Sequence, residues 1–272
     1  MSDEARGVAL VVAAVSSLQF GAGYAVTLFD ELGPAGAAFL RLAIAAVLLV
    51  ALWRPRVRGH PAADLRLAAA FGVTLGAMNT CIYEAMDRIP LGIAVTIEFW
   101  GPLAVAVAAS RRPLDLLWVA LAAGGILLLA DPGGGSLDAT GIAFAVAAGG
   151  LWAAYIVLSA RTGRLFPGGS GLAIAMVFGA LVTLPFGIGA DLLAPEMLAA
   201  AAVVALLSSV IPYSLELEAL RRLPARVFGV LMSLEPAVAA LAGLLVLDQA
   251  LGGREWLAIA LVVVAGAGAT AR

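Results

Sequence analysis

The chain has no lysine: all sixteen of its basic residues are arginines. Charged residues make up only 12% of its 272 positions, where a soluble domain carries roughly a quarter. That scarcity excludes a water-exposed surface for most of the chain. Cys81 is the only cysteine and His60 the only histidine. One cysteine excludes an intrachain disulfide. One histidine, in a loop beside Arg54, Arg56 and Arg58, reads as a solvated residue rather than a ligand. His-Glu-x-x-His, Gly-x-Ser-x-Gly and a phosphate-binding loop are all lacking. No catalytic residues, metal site or cofactor are therefore expected, and an intramembrane enzyme is the weakest reading. Direct use of ATP and nucleic-acid binding are excluded on the same grounds. The basic n-region and small-residue cleavage site of a removable signal peptide are missing over residues 1–7, so the first apolar segment reads as a retained span.

What is present is apolar. Hydrophobic residues are 63% of the chain, and the mean hydropathy is +1.05. They recur in blocks of about twenty, the length that crosses roughly 30 Å of hydrocarbon. The fold class expected is all-α and integral to a lipid bilayer. Its ten transmembrane helices fall near residues 7–28, 34–53, 65–86, 90–109, 116–130, 140–159, 171–190, 197–220, 224–247 and 255–271. Pro34, Pro90 and Pro224 mark helix starts, where a missing N–H is tolerated.

Arginine sets the orientation, since short cytoplasmic loops carry the excess of basic residues. With a cytoplasmic N-terminus, thirteen arginines lie inside and two, Arg88 and Arg254, outside; Arg41 lies within the second span. Asp30, Glu31, Asp131, Asp138, Asp191, Glu196 and Asp248 fall outside. Both termini are expected to face the cytoplasm in a bacterial inner membrane.

The halves match each other at an offset of 134 residues. Gly7-Val8-Ala9 matches Gly141-Ile142-Ala143, and Val12-Ala13-Ala14 matches Val146-Ala147-Ala148. Glu84, Arg88, Pro90 and Pro102 match Glu218, Arg222, Pro224 and Pro236. Residues 1–133 and 134–272 then form two five-helix repeats of one transport domain, divided by the glycine-rich loop 131–136. Five is odd, so the second repeat enters the membrane from the opposite side. Such inverted repeats support alternating access in secondary transporters, with the site at broken helices near the midplane. A two-repeat chain needs no partner to complete its cavity, and the sequence fixes no oligomeric state.

Ionisable groups deep in a bilayer are costly and face the protein interior. Glu98 and Glu235 lie near the middles of spans four and nine. Pro102 cannot donate to the carbonyl of Glu98, nor Pro236 to that of Met232. These two glutamates are the proton-coupling candidates, and Glu98 is also a substrate-binding candidate. Ala94 and Gly101 beside Glu98 are expected to leave room for a ligand. Gln19, Asn79, Tyr83, Trp152, Tyr155, Tyr213 and Glu216 are the other substrate-binding candidates. Ser209, Tyr213 and Glu216 share a helix face, and Pro212 breaks the bond to Ser208. Trp100 is expected to face lipid, and Arg41 to pair with a buried glutamate or with a substrate carboxylate. Glu84–Arg88 and Glu218–Arg222 are i,i+4 pairs with Glu first. They read as structural or gating pairs, as do the breaks at Pro102 and Pro236.

Three stretches carry a family resemblance. They are Arg88-Ile89-Pro90-Leu91-Gly92 with Glu98-Phe99-Trp100-Gly101-Pro102; Ile211-Pro212-Tyr213-Ser214-Leu215-Glu216; and Leu231-Met232-Ser233-Leu234-Glu235-Pro236. They resemble the threonine and homoserine exporters of the EamA-type drug/metabolite transporter superfamily, over nearly the whole chain. The resemblance implies ten helices in two inverted repeats and efflux of small neutral amino acids in exchange for protons. A broader drug or metabolite exporter is the alternative, because one fold carries many cargoes.

Overall fold

The computed structural model of the chain describes residues 3–108, 115–130, 137–187, 194–220, 222–223 and 225–270. The repeat-dividing loop 131–136, Arg111, Arg112, Arg221, Pro224, Asp131, Asp191 and Arg272 lie outside the described residues. Among the described residues all regular structure is helical.

The first three helices are long. α1 (Asp3–Val26) opens with Asp3 and Glu4, which complement its N-terminal dipole. α2 (Phe29–Trp53) starts one turn before its predicted boundary. Its helical course is interrupted at Gly33 (φ 66°, ψ 159°) and resumes at Pro34, so proline still marks the start of the regular part. α3 spans Ala62–Met86. In the loop before it, His60 is stacked on Phe166 with ring centroids 4.4 Å apart, so it is less solvated than its position suggested.

The fourth apolar segment is broken. α4 (Leu91–Glu98) stops at the residue whose carbonyl Pro102 cannot serve, and α5 (Trp100–Ala108) resumes after Phe99. α6 is Asp115–Ala130. α7 (Ala139–Leu165) is capped by Asp138, whose carboxylate accepts from Gly141 N at 2.6 Å. It runs six residues past the predicted end of its span. α8 is Ser170–Gly187. α9 (Pro195–Ala205) leads into a π turn (Leu206–Val210) and then α10 (Ile211–Leu220). Pro212 lies at this transition. The next segment is broken like the fourth: α11 (Ala225–Met232) and α12 (Glu235–Leu247) flank Ser233-Leu234. α13 is Gly253–Thr270.

Seven of the described helical stretches are long and apolar enough to cross a membrane, and Leu91–Val105 and Leu116–Leu128 are shorter apolar ones. The outer surface is as apolar as the interior: Val47, Leu116, Leu127, Phe186 and Leu245 are all more than 60% exposed. Side chains of this kind facing outward around the bundle suit a hydrocarbon solvent and would be a liability in water.

Packing follows small residues. α2 lies on α8, α3 on α7 and α8, α1 on α10 and α12, α4 on α7 and α12, and α6 on α13. α5 and α7 cross closely, and a side chain at Gly101 would collide with the Gly149 carbonyl. Gly101 therefore admits a neighbouring helix and does not leave the ligand room expected of it. Trp100 is half-buried, and its Nε1 donates to the Val146 carbonyl at 3.0 Å, which holds one edge of the ring on α7.

Candidate functional site

The helix breaks surround a cavity of about 100 Å³. One bound water needs roughly 10–15 Å³ measured the same way, so the space suits a small solute. The first half of the chain contributes Gln19 from α1, Arg41 from α2, Asn79 and Tyr83 from α3, and Glu98 from α4. The second half contributes Trp152 and Tyr155 from α7, Tyr213 and Glu216 from α10, and Glu235 from α12. Every substrate-binding and proton-coupling candidate named from the sequence thus lines one wall or another of this space. Leu18, Ala22, Met78, Ile82, Met86, Val95 and Met232 fill the remaining wall. Nothing in the sequence separated them from ordinary core residues.

Arg41 is 4% exposed, and its contacts determine how the cavity is held. Its Nε donates to Ser209 Oγ at 3.0 Å, Nη1 to the Tyr83 hydroxyl at 3.1 Å and Nη2 to the Ser208 carbonyl at 2.6 Å. Its anchoring partners are neutral oxygens, not the glutamate expected from the sequence. Pro212 explains the strongest of them. It lacks the N–H that would have bonded the Ser208 carbonyl, and the π turn presents that oxygen to α2. Ser208 and Ser209 thus position Arg41, a role the sequence reading did not assign when it put Ser209 on the cavity-facing side of its helix. Their signal was the unserved carbonyl, whose partner lies 167 positions away.

The other polar groups divide into engaged and unengaged. Asn79 Nδ2 donates to the Leu75 carbonyl at 2.8 Å, within its own helix. Glu98 is 7% exposed and Glu235 2% exposed. Glu235 Oε1 and Gln19 Oε1 are buried and have no hydrogen-bond partner. An unpartnered buried acceptor at a cavity wall is the usual mark of a place where another molecule completes the bonding.

A second, larger space of about 710 Å³ adjoins the first and shares Trp152, Tyr155, Tyr213, Glu216 and Met232 with it. It passes Pro102 and Phe228 and reaches Thr162 and Gly168 at the α7–α8 connection, on the arginine-rich side. Its wall is largely apolar and aromatic. Phe99 meets Trp152 edge-on at 5.9 Å, and Phe71 meets Tyr155 at 5.2 Å.

The two ion pairs lie away from both spaces. Arg88 Nη1 is 2.6 Å from Glu84 Oε2, and its guanidinium rests over Phe144 of α7 at 5.3 Å. Arg222 bonds Glu218 and lies 3.3 Å from Asp3 of α1. Each pair thus closes the end of one helix against the start of another. Pro236 is buried behind Glu235 at the start of α12. Among the described residues no three His, Cys, Asp or Glu side chains are grouped to hold a metal ion.

Comparison with known proteins places the chain in a family. The profile of the EamA-like transporter family matches residues 139–270. The chain is 41% identical over 270 residues to the threonine/homoserine exporter RhtA of Escherichia coli strain K12, covering 97% of this chain and 90% of that protein. Its identity to the protein of the same name from Salmonella typhimurium strain LT2 is also 41%, over 268 residues, with 96% and 90% covered. A more distant relative is the uncharacterized transporter YwfM of Bacillus subtilis strain 168, 28% identical over 185 residues, or 66% of this chain and 60% of that one. A solved crystal structure shares the fold with a TM-score of 0.64 at 18% identity, covering 95% of each chain. Apolar helices, a buried polar cavity and near-full-length likeness lead to one conclusion: the chain belongs to the EamA-like transporter family and is a multi-pass membrane transporter.

Proposed function

We propose that this transporter exports threonine, homoserine and similar small neutral amino acids from the bacterial cytoplasm in exchange for protons. The observation that carries the reading is the cavity, where carboxylates and one guanidinium from both halves of the chain face a space of small-solute size. A zwitterion needs both charges matched in a site where water is scarce. Glu98 receives the ammonium group. Arg41 has spent three of its five N–H donors on neutral oxygens, and the rest serve the substrate carboxylate. Proton binding at Glu98 or Glu235 competes with the substrate, which couples the two fluxes.

The architecture proposed is ten spans in two inverted five-helix repeats with both termini cytoplasmic. Two facts support it. α4 and α11 are both eight residues long and begin at Leu91 and Ala225, 134 positions apart. The packing also comes in equivalent pairs, α3 on α7 with α1 on α10, and α5 on α7 with α1 on α12. Alternating access follows if the repeats exchange conformations.

Purified protein in liposomes loaded with a pH-sensitive dye tests this. Threonine or homoserine should drive a proton flux that Glu98→Gln abolishes. Absence of flux with either amino acid would overturn the substrate, and an unchanged flux in Glu98→Gln would overturn the role of Glu98. The aromatic-lined larger space favours one second reading, a broader exporter of drugs or metabolites. Competition by aromatic cations against threonine distinguishes it.

A further inference from the structure

We infer that Gln19 reads the side-chain hydroxyl of the substrate, so that a hydroxyl is a condition of export and not an incidental feature of the cargo. The inference rests on the amino-acid exporter reading above and assigns the side-chain end of its site.

Gln19 is 3% exposed and lines the small cavity. Its Oε1 is buried without a partner. The other unpartnered acceptor of the wall, Glu235 Oε1, belongs to a carboxyl group, which suits an ammonium group or a proton. A carboxamide oxygen carries no net charge and suits a neutral donor. Asn79 differs in that its amide nitrogen donates to its own helix, and of the two cavity amides only Gln19 has an oxygen buried without a partner.

Gln19 is also held at a set distance from the guanidinium. Ser17 Oγ donates to the Leu207 carbonyl at 2.7 Å, and Ser208 Oγ donates to the Leu18 carbonyl at 3.5 Å. These bonds attach the turn carrying Gln19 to the same π turn whose Ser208 carbonyl receives Arg41. One residue, Ser208, therefore spaces a hydroxyl acceptor from a carboxylate donor. Threonine and homoserine both carry a carboxylate and a hydroxyl a few bonds apart. Valine has the shape of threonine with a methyl in place of the hydroxyl. Bound there, it would leave Oε1 without a donor and shut off from water.

The test begins with the parent protein and needs no variant. In liposomes, threonine and homoserine should be carried, while valine and O-methylthreonine should show a kcat/KM lower by about a hundredfold or more, since a site built to bond a hydroxyl rejects analogues lacking the donor. Gln19→Met keeps the length of the side chain and removes the acceptor. It should narrow the threonine-to-valine ratio by about tenfold or more, through loss on threonine. The ratio is independent of how much variant protein folds. Equal transport of O-methylthreonine and threonine by the parent overturns the inference, as does an unchanged ratio in Gln19→Met. If the parent carries neither threonine nor homoserine, the exporter reading fails and this inference with it. If it carries threonine and valine alike, only the inference fails.

Discussion

Arg41 donates to the carbonyl of Ser208, the oxygen that Pro212 deprives of its helical partner. A cation in the second helix and a proline at the start of α10 are thus two parts of one joint. Arg41→Met removes the donor and leaves three buried oxygens underserved. It should cost roughly 2–3 kcal/mol, the range for hydrogen bonds to a charged group, read as a lower melting temperature in detergent. Arg41→Lys should rescue only part of this, because an ammonium cannot present the planar fork. A Lys variant as stable as the parent would show that charge alone suffices.

The α5–α7 crossing leaves no room for a side chain at Gly101 or Gly149. A side chain at Gly149 would lie against the Trp100 ring and 2.6 Å from the Glu98 carbonyl. Gly149→Val should destabilise the protein by roughly 1–3 kcal/mol through overpacking. It should also depress transport beyond the loss of folded protein, since Glu98 sits on the displaced turn. Normal transport per folded molecule would separate that crossing from the site.

The pairs Glu84–Arg88 and Glu218–Arg222 occupy partly exposed helix ends, with the arginines near 30% exposure. Ion pairs of this kind contribute about 0–1 kcal/mol. Arg88→Ala and Arg222→Ala should therefore leave the melting temperature nearly unchanged. If either slows transport several-fold despite this, the pair acts in gating and not in holding a helix end.

Orientation is open to chemical labelling because Cys81 is the sole cysteine. In a Cys81→Ser background, a membrane-impermeant maleimide applied to intact cells should label Glu31→Cys and spare Arg58→Cys. Both positions are exposed. The opposite pattern would invert the topology.

Much of this was legible in the sequence because proline acts locally. Pro102 and Pro236 each announced a break four residues upstream, and α4 and α11 end at Glu98 and Met232. The lining candidates were legible for a related reason. A polar side chain deep in an apolar run has to face other protein groups, and Gln19, Glu98 and Glu235 do. Contacts between distant helices were not legible. No periodicity links Arg41 to Ser208 and Ser209, and helical spacing alone cannot tell that Asn79 turns its amide back on Leu75. Gly101 failed for the same reason: it was read against a ligand and is covered by α7, which no local pattern brings there.

The length of α7 has a mechanical consequence. Its 27 residues extend about 40 Å at 1.5 Å per residue, against a hydrocarbon layer of roughly 30 Å. The excess lies at its C-terminal end, where Arg161 and Arg164 are exposed, and the same stretch forms the lip of the larger space through Ser159 and Thr162. If that end stands beyond the hydrocarbon, a change in bilayer thickness would act through α7 on the rim of the larger space.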